Sequence, residues 1–485
     1  MPIAYIYILL FLFALLYSKS ALFWVYLWQL KEYRLDRFWS EYGFLGKLLH
    51  FWAFSGGRKF HRPVFTLKAL AIYVISLLAV LAGIYAVLRI SIFSEIGSAW
   101  IIIAGLIALY VLVPTIVLVI MSICQAPIII AKFFIFKMAA ARVAENKDLI
   151  IIGITGSYGK TSTKEFLAQI LEKKFEVIKT PKNINTEIGI AKFILQNLIP
   201  ALSLERRGGK EVFIVEMGAY KKGEIKRICD IVKPKIGIIT GINEQHLSLF
   251  GSFQNIIDTK YELIEGLPED GFALFNGENE YCLEMAEKWK GDKVIYKTSP
   301  QPSPWKGEGK ISLPKHYLLN LAGAVEIARY LGMGEEEIKQ ATEQIKLTDR
   351  MIKTFIGKNR ALIIDDSYSA NPSGVLAGLD YLAEQKQARK IIIMPCLIEL
   401  GSAAKEIHQK IGQKINAVCD LAIITTKDYF DIIKAEVGDK AILAAAPEKA
   451  IELVKDKLNS DVAVLVEGRV AEFVLSFLQK RESGI

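Results

Sequence analysis

Three long apolar runs, at residues 3–30, 66–88 and 98–124, constrain this chain more than any other feature. Each exceeds the roughly 20 residues that a helix needs to cross a bilayer core of about 30 Å. The first contains Ser18-Lys19-Ser20, but no basic segment precedes it, so it reads as a span and not as a cleaved leader. Lys31, Arg34, Arg37, Lys47, Arg58, Lys59 and Arg62 crowd the first connection, while residues 90–97 carry no basic residue. Lys132, Lys137, Arg142 and Lys147 follow the third run. With three spans, both basic segments and the rest of the chain fall on one side, which is expected to be the cytoplasmic face of a plasma (inner) membrane. Residues 126–144 mix apolar and basic residues and read as an interfacial helix against membrane lipids. None of the runs holds an acidic residue, so they read as an anchor and not as an ion pathway.

Charge follows the same division. Residues 1–148 hold 14 Lys/Arg against 6 Asp/Glu, whereas the remainder holds 46 against 45. The net charge of +9 therefore belongs to the membrane surface, and the nearly neutral remainder argues against a nucleic-acid partner. The five cysteines are odd in number and form no CxxC pair, which argues against a disulfide framework or a zinc site.

A buried-strand pattern, LIIIGI, runs at residue 155 into TGSYGKTS, and a helical run follows at 164–173. Strand, glycine loop and helix N-terminus form the context of a phosphate-binding loop. Gly156, Ser157 and Gly159 would present backbone N–H groups, Lys160 would reach the β/γ-phosphates, Thr161 would bind Mg²⁺, and Ser162 opens the helix. The general GxxxxGK[ST] pattern would need glycine at position 154, where Ile154 stands. A second apolar strand ends in Glu216 within EMGA, well placed for Mg²⁺, and another leads into His246 within HLSLFGS, with Lys260 beyond it. From about residue 353 strands and helices alternate again, as in a small doubly wound domain.

These strings resemble the Mur ligases and the related folylpolyglutamate synthetases. TGSYGKTS is similar to the family's ATP loop, TPKNINTEIG to its TPxNxNTxxG element, and LPKHYLLNLAGA to its HNxxNxxAA helix. EMGA and DDSYSANPS resemble the MurF branch, which adds D-alanyl-D-alanine, and Glu399-Leu400-Gly401-Ser402 with His408 resembles its ELGxxS…H. The resemblance implies an α/β fold: a phosphate-loop Mur-ligase central domain at 149–350 and a Rossmann-like C-terminal domain at 351–485, after a membrane region at 1–148. It implies that Glu216 and His246 bind Mg²⁺, that Lys260 is carbamylated, and that Lys160, His246 and Lys260 act in catalysis. Asn320 would meet adenine, Arg350 the phosphates, and Asp366 the ribose. Asn183, Asn185, Thr186, Tyr368, Asn371 and Pro372 would contact the substrates. The implied activity is an ATP-dependent, ADP-forming amide ligase of peptidoglycan-precursor synthesis. Its partners would be a muramoyl peptide, UDP-linked or lipid-linked, and D-alanyl-D-alanine or a similar amine.

Four departures stand beside this resemblance. Tyr317 replaces an asparagine, Met394-Pro395-Cys396 replaces Gly-Asp-Met, Glu467-Gly468-Arg469 replaces Lys-Gly-Ser, and apolar runs stand where the family has a domain that grips the UDP-sugar. A ligase for folate-like or polyamino-acid acceptors, and a membrane ATPase or nucleotide-sensing scaffold, are the alternatives.

Overall fold

The structure is a computed structural model that describes residues 3–31, 33, 38, 62–93, 98–198, 210–298, 313–348, 351–368, 370–470 and 472–479. Most of the basic connection 31–65 and Arg350 lie outside the described residues. Packing divides the chain into two compact units, Met1–Phe134 and Ile135–Ile485.

The first unit is helical: α1 (Ile3–Leu30), α2 (Leu67–Phe93), α3 (Ser98–Val111) and the start of α4 (Val113–Ala144). Three segments, Ala4–Leu30, Leu67–Ile92 and Val113–Ala144, are long and apolar enough to cross a membrane. The expected third span at 98–124 is instead two helices meeting at Leu112. Pro114 explains the break, because it has no N–H to give to Tyr110 and its ring crowds that carbonyl. The N–H groups of Leu112 and Ile116 still bond one turn back, at 3.0 and 2.8 Å, so helical bonding continues on both sides of the break. α2 and α3 run antiparallel and touch closely, since a side chain at Gly83 would strike Leu109 and one at Gly105 would strike Val87. Tyr17 donates to the Ser76 carbonyl at 3.0 Å, which gives its buried hydroxyl a partner. Tyr7, Phe11, Leu67, Leu81, Trp100 and Ile123 are large apolar side chains left exposed, the kind of surface that marks an interaction site.

The expected interfacial helix at 126–144 is the second half of α4. Its last turns leave the apolar bundle: Ala139 and Val143 are buried in the second unit's core with Phe213, Ile228 and Ile264. The division between packed units therefore lies upstream of residue 148.

The second unit contains two six-stranded sheets, ordered β2-β3-β1-β4-β5-β6 and β11-β10-β9-β12-β8-β7. The first is wholly parallel and comprises β1 (Ile150–Thr155), β2 (Glu176–Lys179), β3 (Glu211–Glu216), β4 (Ile236–Ile239), β5 (Phe272–Asn276) and β6 (Asp292–Tyr296). The second comprises β7 (Lys353–Ile356), β8 (Leu362–Asp366), β9 (Arg389–Met394), β10 (Leu421–Ile424), β11 (Ala441–Leu443) and β12 (Val462–Glu467), and only β7 runs antiparallel to its neighbour. Helices cover both faces of a parallel sheet, so its strands read as continuous apolar runs and not as alternations. Ile152, Ile154, Val212, Ile214 and Ile238 face Phe166, Leu167 and Ile170, while Ile151, Phe213, Val215 and Ile239 face Ile190, Ile194 and Leu263. The carboxyl ends of β1, β3 and β4 converge at one crevice, where open α/β sheets bind ligands.

Candidate active site

The loop after β1 is held against the end of β4. Ser157 N–H donates to the Gly241 carbonyl at 2.7 Å, and Thr240 Oγ1 donates to the carbonyls of Thr155 and Tyr158. Gly156 lies so close to β4 that a Cβ there would fall 2.2 Å from Thr240 Oγ1. Gly159 has φ 80 and precedes the helix Lys160–Leu171, leaving that helix's first N–H groups toward the loop. Lys160 folds back, its Nζ donating to Gly156 O at 2.5 Å and Ser157 O at 3.2 Å. Burial pushes its amine below the usual range, against the opposing pull of Glu216.

Parallel pairing of Ile154 with Glu216 brings that acid to the loop. The Thr161 hydroxyl lies 3.1 Å from both carboxylate oxygens, Asn185 Nδ2 donates to Oε1 at 3.3 Å, and Lys164 Nζ meets Oε2 at 3.0 Å. The Glu216 N–H donates to Thr180 Oγ1 at 3.0 Å, which fixes the strand end. Burial opposes ionisation of Glu216, but the Lys164 and Lys160 charges outweigh it and hold the carboxyl below its usual range. Among the described residues no three His, Cys, Asp or Glu side chains gather to hold a metal by themselves. One hydroxyl and one carboxylate beside a phosphate loop nevertheless suit Mg²⁺, which keeps waters and takes its remaining ligands from phosphate oxygens.

A cavity of about 50 Å³ adjoins the loop, lined by Lys160, Asn185, Tyr220, His246, Phe250 and Lys260 among others. Lys260 sits on the helix Phe253–Glu265 and is 4% exposed. Among the described residues its amine forms no hydrogen bond or ion pair, and it lies 5.7 Å over the Phe250 ring. Burial first, and the Lys160 charge second, push its pKa down to about 7. His246 hydrogen-bonds through Nδ1 to Glu399 of the second sheet's layer, and the Tyr220 ring meets its edge at 4.9 Å.

The match to family descriptions follows this geometry in order along the chain. The Mur ligase middle domain matches residues 154–316, and the Mur ligase glutamate ligase domain matches residues 350–470. The chain belongs to the Mur ligase family. The UDP-N-acetylmuramoyl-tripeptide–D-alanyl-D-alanine ligase of Synechocystis is 31% identical over 295 residues, covering 58% of this chain and 63% of that protein. The chain thus spans less than two thirds of the length of that relative. Among solved structures, MurF from Acinetobacter baumannii superimposes with a TM-score of 0.61 at 25% identity, covering 72% of this chain and 80% of the other. The MurF ligase of Thermotoga maritima in complex with ADP gives a TM-score of 0.59 at 25% identity, covering 72% and 83%.

Within this Mur ligase, Gly156, Ser157, Lys160, Asn185, His246 and Lys260 line one cavity, with Thr161 and Glu216 bonded to each other beside it. Asn320 lies behind the loop, its Nδ2 donating to Ser162 Oγ at 2.8 Å, where it braces the glycine turn. Tyr368 donates to Asn183 Oδ1 at 3.0 Å, and Asn243 Nδ2 donates to Asn371 Oδ1 and Ser373 Oγ, so the two layers meet through these motifs. Thr186 caps the helix Glu187–Asn197, and Asn371 with Pro372 opens the helix Pro372–Ala383; helix capping accounts for these residue types at those positions. Asp366 pairs in register with Glu467. Burial, then Asp365, raises Asp366 to about 7, and Glu467 is pushed far above its usual range, both its oxygens unpartnered among the described residues. His408 accepts from Leu397 N–H and bonds the Ala404 carbonyl, which is a structural role. The sequence assigned no role to Lys164 or Asn243, and showed Thr180 only as the start of the TPKNINTEIG element and not as the partner of the Glu216 N–H.

Proposed function

We propose that the chain is a membrane-anchored, ATP-dependent, ADP-forming amide ligase of peptidoglycan-precursor synthesis. The observation that carries this is the shared cavity of Lys160, Lys260 and His246 beside the Thr161–Glu216 pair, at the carboxyl end of a parallel sheet. The phosphate loop and Lys160 bind the phosphates of ATP; Thr161 and Glu216, with His246 and a carbamylated Lys260 at the same cavity, would hold Mg²⁺, which would offset phosphate charge. An acceptor carboxylate attacks the γ-phosphorus, giving an acyl phosphate and ADP. The incoming amine then attacks the acyl carbon, forms a tetrahedral intermediate, and expels phosphate as it loses a proton. Lys160 offsets charge on the transferred group. Residues 149–350 bind nucleotide, and residues 351–485 close over it and exclude water, which limits hydrolysis of the acyl phosphate.

Lys260 supports the reading in a second way. Only a neutral amine adds to CO₂, and a pKa near 7 leaves much of this one neutral. Carbamylated Lys260 is an anion beside Lys160 and relieves the like-charge contact that the unmodified amine suffers. The acceptor is a muramoyl peptide and the amine is D-alanyl-D-alanine or a close analogue, as the names of the relatives suggest. Three helices long and apolar enough to span a bilayer support a plasma-membrane anchor with the catalytic layers on the cytoplasmic side, and such an anchor would suit a lipid-linked acceptor.

The test is phosphate release by detergent-purified protein with ATP and Mg²⁺, with and without a muramoyl-tripeptide and D-alanyl-D-alanine. Release that needs both, with the matching mass gain on the acceptor, supports the ligase. Release indifferent to both but lost in Lys160→Ala makes it an ATPase. Preference for a UDP-linked acceptor over a lipid-linked one overturns the lipid reading, and extraction by alkaline carbonate overturns the membrane placement.

A further inference from the structure

His246 and Glu399 lie 153 residues apart, in the loops that follow β4 of the first sheet and β9 of the second. Both are non-glycine residues with φ 64, in the left-handed region that side chains avoid. Each loop departs from ordinary backbone where it meets the other. The contact is also backbone to backbone. Ser248 N–H donates to the Glu399 carbonyl at 3.1 Å, and Gly401, with φ 55, passes so close that a Cβ there would lie 3.3 Å from the Ser248 nitrogen. Glu399 is thereby pinned against the start of the helical turn Leu247–Phe250, with its carboxylate on His246 Nδ1.

An ionised carboxylate only accepts, so the proton of that bond sits on Nδ1. In the neutral ring the lone pair is then on Nε2, the atom left for a ligand, and the Tyr220 ring packs edge-on against the imidazole at 4.9 Å. His246 lines the cavity that also holds Lys160 and Lys260. A carboxylate behind a histidine is the usual means of fixing which nitrogen faces a ligand. Here that carboxylate belongs to the other layer of the unit.

We infer that Glu399 is a positioning residue: it sets the tautomer and ring orientation of His246, so the nucleotide-side cavity is complete only when the C-terminal layer is seated. Its consequence for turnover rests on the ligase reading above, while the tautomer claim does not. The arrangement couples seating of that layer to readiness of the cavity, without Glu399 touching the reacting atoms.

The experiment uses full-length protein in detergent, labelled with ¹⁵N-histidine. The chain has 5 histidines, and His246→Gln identifies the resonance of interest by its loss. In the wild type, His246 shows a fixed Nδ1–H tautomer. Glu399→Gln, which can donate or accept, yields a mixed tautomer. It also lowers kcat for acceptor-dependent phosphate release by about 10–100-fold with KM for ATP nearly unchanged, and Glu399→Asp recovers part of the loss. An unchanged His246 tautomer in Glu399→Gln overturns the inference, including where stability alone falls, which marks a purely structural latch. If Glu399→Gln misfolds, Glu399→Asp carries the same comparison: a partial tautomer shift supports the inference and none overturns it. Wild-type protein that shows no acceptor-dependent release overturns the ligase reading and leaves the tautomer result to decide the positioning role.

Discussion

The Thr161 hydroxyl reaches both carboxylate oxygens of Glu216 at 3.1 Å, so the residue after the loop lysine and the acid at the end of β3 form one unit. Lys164, 1% exposed, meets the same carboxylate at 3.0 Å. Breaking a buried pair by removing one partner leaves an uncompensated charge and costs about 3–5 kcal/mol. Lys164→Met is expected to lose stability of that order. Glu216→Gln is expected to lose stability too, together with about 10²-fold or more in phosphate release. The double variant should be more stable than additivity predicts, because neither charge is left alone. Thermal unfolding of the four proteins measures this.

Lys260 gives a pH dependence with a definite sign. Its amine titrates near 7 because burial disfavours the charged form. Below that pH the amine protonates and a carbamate on it is lost, so activity is expected to fall as pH drops through 7. Removing CO₂ at pH 8 should also lower activity, and bicarbonate should restore it. Lys260→Ala should lose about 10²-fold and gain nothing from bicarbonate. Rates with and without bicarbonate, and ¹³C NMR after ¹³C-bicarbonate, check both statements.

Asp366 and Glu467 predict an opposite trend in stability. Their carboxyls are buried side by side, and both pKa values are raised, Asp366 to about 7. A carboxyl raised on folding binds extra protons in the folded state, so stability is greatest below the ordinary carboxylate range and falls as pH rises toward 7. Glu467→Gln removes one charge of the pair. It is expected to raise Tm at pH 8 by about 2–4 °C, the scale of 1 kcal/mol in a mid-sized domain, and to change little at pH 4. Unfolding scans at the two pH values decide it.

Much of this was legible along the chain because it is local. The phosphate loop is contiguous, β1 and β3 announce themselves as isoleucine- and valine-rich runs, and Glu216 falls at the end of one of them. Features made by packing were not. Lys164 reads as one more polar residue on a helix until β3 lies beside it, and Glu399 meets His246 only when the two sheets' layers pack. The helical break at Leu112 was readable from Pro114, yet the apolar run continues across it and hides the break from a hydropathy reading. Capping likewise gives Thr186 and Asn371 jobs that a motif alone cannot separate from substrate contact.

Gly159 tests whether the loop depends on backbone freedom or on space. Its φ of 80 suits glycine, and a Cβ there would lie 2.6 Å from Asn320 Oδ1. Gly159→Ala should therefore weaken ATP binding at least tenfold, about 1.4 kcal/mol, through both backbone strain and the clash. Asn320→Ala removes the clashing atom but also the 2.8 Å bond that steadies Ser162. If the clash dominates, ATP affinity of the double variant returns toward that of Asn320→Ala. Strain that remains leaves it well below. The backbone geometry at Gly159 favours the second outcome, because a positive φ persists whichever side chain stands opposite, and calorimetric ATP titration of the three variants measures the difference.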